Sequence, residues 1–360
     1  MSTLATNAIT DASGGNTTTI NGYTPTVSNM AGRNRIINGN FEIWQRGNTS
    51  RTFAVSGNYS SDRWCRSGYQ DAAHERVAIS SPVAGMTSRY ALRSSTVTTA
   101  EAAGGSRMDV SQKIESVNCY DLAGQYVTFS FWIRFSSATI SSSTTAFGNF
   151  QSRIQYNTST TDLGVFGDLG DGTICSTSFA NGSLPTTWTK VFKTALVPAG
   201  TKNLSVRFQS DNLGNTASAG SEWFEIAEVQ IEAGSVATPF ENVDYGEMLR
   251  RCQRYYYRID SIGGNKRAII GIAYSSTELE CLWTFQQTMR SSPTVTAPSL
   301  GDVLKEGVGW YVPTSASVMS TTPTFANIGA ILSSSGFSQG QAGWWGSNSG
   351  SLTLTASAEL

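Results

Sequence analysis

The feature that most constrains this chain is a strict two-residue alternation in the segment YVTFSFWIRF, Tyr126–Phe135. One set of alternate positions is entirely apolar: Val127, Phe129, Phe131, Ile133 and Phe135. Successive side chains of a β-strand point to opposite faces, whereas a helix returns to one face every 3.6 residues. The segment therefore predicts a long strand with one face in a hydrophobic core.

Similar strand patterns follow this segment, and no long helical period accompanies them. The clearest are Thr187–Val197, Leu204–Ser210 and Trp223–Glu232. Charged residues make up only 14% of the chain, while serine, threonine, asparagine and 35 glycines supply polar turns between the short apolar runs. Short strands separated by such turns are typical of all-β proteins. We predict an antiparallel β-sandwich of the jelly-roll type over residues 35–241.

The rest of the chain predicts a second, smaller β domain over residues 242–360. Its one helical signal is Glu247–Arg254, which places Met248, Leu249 and Cys252 on one side. Strand patterns then continue to the end of the sequence, so the chain is predicted to end in a strand.

Residues 1–34 form a polar lead rich in threonine, asparagine and glycine. Asn21-Gly22 between threonine-rich flanks is a hairpin signal, but the segment has too little apolar surface to fold alone. We predict an extended N-terminal arm that packs on a partner.

The stretch NGNFEIWQRG, Asn38–Gly47, places large apolar groups on both faces of what its alternation predicts to be a strand. Phe41 and Ile43 are predicted to lie in the core. Trp44 would then face a second layer or a neighbouring chain.

Composition excludes several classes of function. The net charge of -1 and the absence of a basic run argue against binding of nucleic acid or anionic lipid. Five widely spaced cysteines without a CxxC motif predict free buried thiols and argue against a disulfide framework or a zinc site. Neither a signal peptide nor a membrane-spanning apolar run is recognisable, so no membrane insertion is predicted.

Catalysis is not predicted. A hydrolytic triad would have to use the only histidine, His74, and no GxSxG motif is present. Glycan hydrolysis needs two carboxylates held about 5–10 Å apart. The candidate pairs are Asp168 with Asp171, Glu225 with Glu228, and Glu278 with Glu280. Sequence alone cannot show which of these carboxylates come together, so hydrolysis stays an alternative.

Several blocks of the sequence resemble proteins of one kind, in the same order. They are TNAITDASGGNTTTINGYTPT, RNRIINGNFEIWQRG followed by SSDRW, LAGQYVTFSFWIRFSS, VQIEAGSVATPFENVDYGEMLRRCQRYY and the ending ASAEL. They resemble bacteriophage tail-fibre and adhesin proteins of the kind found in phages of cyanobacteria and other aquatic bacteria. NGNFE with a later tryptophan also resembles the start of jelly-roll carbohydrate-binding modules.

The resemblance implies a virion structural protein, a homotrimeric tail fibre or adhesin that recognises a host-surface glycan. Its N-terminal arm would attach to other tail or capsid proteins, and residues 242–360 would be distal and bind the receptor. A capsid decoration or head-fibre protein is the alternative, and a polysaccharide-degrading tail spike is the second alternative.

Aromatic residues are the candidates for glycan contact, because their rings stack on the CH surfaces of sugars. Trp344 and Trp345 lie in the polar segment Gly336–Gly350, which predicts a binding loop. Trp310 and Tyr311 predict a second loop or a strand edge. Packing at a subunit interface is an equal alternative for the adjacent tryptophans. Trp132 and Trp44 are weaker candidates.

No cofactor is predicted, although the resemblance to carbohydrate-binding modules raises the question of a structural calcium ion. Those modules often carry an aspartate pair in the last strand, where this chain reads Ile226-Ala227-Glu228-Val229. Glu42 and Glu228 are the weak candidates for oxygen ligands.

Overall fold

The chain folds almost entirely into antiparallel β-sheets in a computed structural model that describes residues 32–47, 51–53, 59–66, 72–96, 108–140, 149–158, 172–210, 221–305 and 308–359. The described residues divide into two compact units. The first takes them from Met1–Glu42, Thr49–Ser60 and Trp64–Asn242, and the second from Ile43–Asn48, Ser61–Arg63 and Val243–Leu360. The predicted N-terminal arm falls almost entirely outside the described residues.

The first unit contains ten described strands in two sheets. The strands are β1 (Arg51–Phe53), β2 (Ala72–Ala78), β3 (Tyr90–Thr96), β4 (Asp109–Ile114), β5 (Tyr126–Phe135), β6 (Asn149–Asn157), β7 (Gly172–Ala180), β8 (Thr189–Leu196), β9 (Asn203–Ser210) and β10 (Trp223–Ala233). One sheet has six strands in the order β1-β2-β3-β10-β5-β8, and the other has four in the order β4-β9-β6-β7.

Aromatic packing joins the two sheets into a sandwich. Phe208 of the four-stranded sheet lies 4.9 Å from Phe131 and 5.8 Å from Phe129 of the six-stranded sheet, measured between ring centroids. Phe150 packs against Phe135 at 5.0 Å in the same way. These rings are fully buried, so the predicted apolar face of β5 is confirmed as the core face. The predicted fold class, an antiparallel β-sandwich followed by further β structure, is confirmed.

The second unit contains one helix and ten described strands. They are α1 (Tyr245–Gln253), β11 (Tyr256–Ile262), β12 (Lys266–Ala273), β13 (Glu278–Thr284), β14 (Thr294–Leu300), β15 (Asp302–Lys305), β16 (Gly309–Tyr311), β17 (Pro313–Thr321), β18 (Phe325–Leu332), β19 (Ala342–Ser347) and β20 (Ser351–Ser357). The sheets have the orders β11-β20-β14 and β16-β15-β19-β12-β13-β18-β17.

A single core lies between these two sheets. Leu279, Ile328 and Trp345 of the seven-stranded sheet pack in one buried cluster with Leu352 and Leu354 of β20. Since alternate residues of each strand enter this core, the other residues of the seven-stranded sheet form its outer face.

The predicted helix is confirmed as α1. Asp244 caps its first turn, where Oδ1 accepts hydrogen bonds from the backbone N–H groups of Gly246 and Glu247 at 2.9 and 3.3 Å. Met248 and Cys252 are buried on its inner side, as predicted. All five cysteines are buried and free, which confirms the predicted thiols. No helix among the described residues is long and apolar enough to span a bilayer.

The prediction of a strand over NGNFEIWQRG is wrong, because Asn38–Phe41 forms a turn with positive φ at both ends. Phe41 N–H donates to the Asn38 carbonyl, which also accepts the indole N–H of Trp64 at 3.0 Å. Gly39 lies so close to β10 that a Cβ atom would be 2.1 Å from the carbonyl oxygen of Val229. This approach requires glycine, so the segment serves as an anchor for β10.

Candidate functional site

The four main candidates from sequence fall into two neighbouring cross-strand rows of the seven-stranded sheet. The outer row consists of Trp310, Leu304, Trp344 and Ile270, on β16, β15, β19 and β12. The inner row consists of Tyr311, Val303, Trp345 and Ile269, on the same strands. Register thus separates each aromatic pair, with one member on the surface side and the other toward the core.

Trp345 is fully buried, and its indole N–H donates to the Leu300 carbonyl at 2.5 Å. The prediction that Trp344 and Trp345 lie in a loop is wrong, because both belong to β19. The neighbouring glycine has a packing role, since a Cβ at Gly346 would lie 1.9 Å from the Lys266 carbonyl oxygen. The glycines of this segment therefore allow close contact between strands, although the polar composition of the segment is typical of a loop.

Trp310 and Trp344 are partly exposed. The Trp310 indole N–H donates to Asn265 Oδ1 at 3.0 Å, and the guanidinium carbon of Arg267 lies 5.7 Å from the Trp344 ring centroid. Tyr311 packs against the core, 6.2 Å from Phe337. The outer row is bordered by the exposed aliphatic side chains of Ile272 and Leu282.

The two weaker aromatic candidates are both buried. Trp44 is 8% exposed, and so is Trp132 of β5. The indole N–H of Trp132 donates to Glu228 Oε2 at 3.1 Å. Glu228 lies in a β-bulge of β10 with φ of 51°, and its other oxygen accepts hydrogen bonds from the backbone N–H and hydroxyl of Thr87 and the N–H of Ser88.

The weak calcium candidates both have protein partners. Glu42 forms a two-pronged ion pair with Arg89, at 3.1 and 2.9 Å, and Glu228 is engaged as described above. Among the described residues, no group of three or more histidine, cysteine, aspartate or glutamate side chains is arranged to hold a metal ion. Both carboxylates thus stabilise the loop before β3.

A different surface of the chain brings polar and aromatic side chains together. It is the outer face of the six-stranded sheet, where four charged residues alternate in sign across four adjacent strands. They are Glu75 on β2, Arg93 on β3, Glu225 on β10 and Arg134 on β5. We call this set the charged row.

The charged row is held together by hydrogen-bonded ion pairs. Glu225 is fully buried, and its two oxygens accept from Arg93 and Arg134, each at 2.6 Å. Arg93 also donates to Glu75 at 3.1 Å. The side chains of Arg93 and Arg134 keep 27% and 20% of their surface exposed. Because the buried carboxylate fixes both guanidinium groups, their remaining N–H groups are presented in a defined orientation.

Tryptophans flank the charged row. The guanidinium carbon of Arg93 lies 4.4 Å from the ring centroid of Trp223, and that of Arg134 lies 4.9 Å from that of Trp188. Trp223 is partly exposed, whereas Trp188 is buried. The Trp188 indole N–H is buried and has no hydrogen-bond partner within the described part of the chain. Arg134 uses Nε for Glu225, and its terminal nitrogens have no partner among the described residues.

Two residues further along the strands runs an apolar row. It contains Val77, Ala91, Ala227 and Trp132, and ends at the exposed Lys190. The spacing of the two rows is about 7 Å, from a rise of about 3.3 Å per residue. Ala91 and Ala227 are fully buried and Trp132 is 8% exposed, so the apolar row is a small packed cluster beside the charged row. We call the charged row, Trp188, Trp223 and the apolar row the tryptophan–arginine face.

Among the carboxylates suggested for hydrolysis, three have protein partners. Glu225 and Glu228 are buried and engaged as above, and Glu278 accepts a hydrogen bond from Ser317 at 3.0 Å. Asp168 and Asp171 lie outside the described residues. His74 is buried, hydrogen-bonded to Ser60 and to the Asp109 carbonyl, each at 2.9 Å.

Sequence reasoning missed Trp223, Arg93 and Arg134. A signal existed, because the alternation of β10 places Trp223 and Glu225 on one face, and that of β5 places Arg134 beside Trp132. The pairing of β3 with β10 has no such signal in the sequence.

No protein-family model matches the chain, and comparison with curated proteins gives no match. Solved structures show a distant similarity of β-sandwich fold. The bacteriophage CBA120 tailspike protein 4 is 14% identical over 56% of this chain and 21% of that chain, with a TM-score of 0.31. The tandem CBM22 domains of Paenibacillus barcinonensis Xyn10C are 11% identical over 87% of this chain and 90% of that chain, with a TM-score of 0.28. The baseplate tripod of bacteriophage Tuc2009 is 14% identical over 51% and 76%, with a TM-score of 0.22. The chain spans about a fifth of the length of the tailspike chain.

Proposed function

We propose that this chain is a non-enzymatic virion protein of the tail-fibre or adhesin type, and that its tryptophan–arginine face recognises a host-surface glycan. The observation that carries the proposal is that Arg134, held by the buried carboxylate of Glu225, lies beside the partly exposed ring of Trp223. Sugars present hydroxyl groups around a ring with apolar CH surfaces, and such a ligand matches fixed donors next to an aromatic side chain.

The charge balance of the face narrows the ligand class. The charged row carries no net charge, and Lys190 at the end of the apolar row adds a single positive charge. The face therefore lacks the multiple like charges that would attract a polyanion or a polycation over a long range. The terminal N–H groups of the partly exposed Arg134 favour an acceptor such as a sugar hydroxyl oxygen. A neutral polysaccharide is therefore the proposed ligand. Because the carboxylates of the face are paired with protein groups, we expect binding without hydrolysis.

The test is binding of the purified chain to an array of neutral and acidic bacterial polysaccharides. Trp223→Ala and Arg134→Gln should each weaken binding by about tenfold or more, the effect of losing one central contact. Tyr120→Ala is the matched control, because Tyr120 is an aromatic residue of the same unit that is 69% exposed and lies outside the face. Undiminished binding by both variants would refute the assignment of the face.

Location in the particle needs a separate measurement. Antibodies against the purified chain should label tail fibres in electron micrographs of the phage that encodes it. Label distributed over the capsid would instead favour the decoration alternative, and release of reducing sugar from a bound polysaccharide would favour the degrading spike.

A further inference from the structure

The outer face of the seven-stranded sheet is apolar over several adjacent strands. Ile270, Ile272, Tyr274 and Leu282 are 56–61% exposed, although β12 and β13 are central strands of the sheet. Trp344 lies directly beside Ile270. Contiguous apolar surface of this kind on a soluble protein marks an interaction site. We call these five residues the apolar outer face.

Charged side chains stand at opposite ends of this face. Arg267 lies over Trp344 near the start of β12. Glu280 of β13 is the cross-strand neighbour of Ile272, near the end of β12, and Glu278 lies on the same side of β13. Arg267 and Ile272 are five residues apart, which is roughly 15 Å along the strand. That separation exceeds the screening length of about 8 Å at physiological salt, so the attraction between Arg267 and Glu280 of the same chain is weak.

We propose that the apolar outer face is the contact between two copies of this chain, related by a two-fold axis that runs across the strands. Such an axis reverses the strand direction in the second copy. It therefore places the Arg267 end of each copy over the Glu278 and Glu280 end of the other, with the aliphatic side chains between them. The face is self-complementary, as a two-fold contact requires.

The chemistry of the face favours a second copy over other occupants. Aliphatic side chains dominate its centre, and the charges lie at its rim, which is the pattern of a protein interface. A glycan would need hydrogen-bonding groups at the centre. A three-fold bundle with strands along its axis would place the Arg267 ends of neighbouring copies side by side, which like charge disfavours. The proposal is independent of glycan binding, since it concerns the other unit.

The test is the mass of the full chain by sedimentation velocity over a range of concentrations. The wild type should dimerise, and Ile272→Arg should be monomeric at concentrations where the wild type is paired. Phe192→Arg is the matched control, because Phe192 is 63% exposed on the first unit and should leave the dimer unchanged. Circular dichroism on each variant checks that the fold is kept.

Charge reversal tests the two-fold register itself. Arg267→Glu and Glu280→Arg should each weaken dimerisation by about tenfold or more, since each sets like charges opposite each other. The double variant should recover most of the wild-type affinity. The proposal would be overturned if the wild type were a monomer or a trimer. It would also be overturned if the Ile272→Arg variant still dimerised, or if the double variant lost as much affinity as the two single variants combined.

Discussion

Mild acid is expected to destabilise the first unit through His74, the only histidine of the chain. Burial lowers the pKa of His74 from 6.5 to about 4, partly offset by its hydrogen bond to the Asp109 carbonyl. That carbonyl can only accept, so Nε2 carries the proton and Nδ1 accepts from the Ser60 hydroxyl. Protonation would leave a charged ring in the core of the sandwich and remove the acceptor that Ser60 uses.

The sign and size follow from linkage. Between pH 6.5 and pH 4 the unfolded chain binds a proton on this imidazole and the folded chain does not, so the free energy of unfolding falls as the pH falls through that window. For a pKa of about 4 folded and 6.5 unfolded, the loss between pH 7 and pH 5 is about 2 kcal/mol. The full contribution, reached below pH 4, is about 3 kcal/mol.

Two measurements check this reasoning. Nitrogen-15 NMR on histidine-labelled protein should show a neutral ring protonated at Nε2 down to about pH 5. Urea unfolding at pH 7 and pH 5, on wild type and His74→Gln, should give a pH effect about 2 kcal/mol smaller in the variant, since effects of all other groups cancel in the comparison. An imidazole that titrates near pH 6.5, or equal pH effects in both proteins, would refute it.

Three further outcomes are expected. Gly39→Ala should lower the free energy of unfolding by about 2 kcal/mol or more, because its Cβ would overlap the Val229 carbonyl; unchanged urea unfolding would contradict the close approach. Burial raises the pKa of Asp62 from 3.8 to about 6, and the nearby Arg46 partly opposes this shift. The protonated carboxyl therefore stabilises the second unit below pH 3.8, and this stabilisation of about 3 kcal/mol is lost as the pH rises through 6. Carbon-13 NMR of the carboxyl group should show a titration midpoint near 6, and a midpoint near 4 would contradict the expectation. All five cysteines are buried, so a thiol reagent should label them only in denaturant, and rapid labelling in buffer would show that a thiol is accessible.

Local pattern was sufficient for the clearest elements. The alternation of YVTFSFWIRF predicted β5 and its core face, and the spacing of Met248 and Cys252 predicted α1, because both depend on neighbours within one element. The same reasoning failed at Asn38–Gly47, where alternation imitates a strand. There the contact of Gly39 with Val229, 190 residues away in sequence, decides the backbone conformation.

The candidate sites depended on register between distant strands. Composition found Trp310 and Trp344 but could not separate them from Trp345, which pairing places one residue over and therefore in the core. The tryptophan–arginine face depends still more on register, because its charged row joins residues of four different strands.

The sequence by itself determined that this chain is an all-β protein, which residues of its clearest strands are apolar on one face, and that its thiols are free. Only the tertiary structure decided that Arg93, Glu225 and Arg134 form one row, because β3, β10 and β5 come together from positions more than 30 residues apart. Alternation fixes which face a side chain occupies within its strand. Strand order and register, which depend on the packing of the whole core, fix what stands beside it.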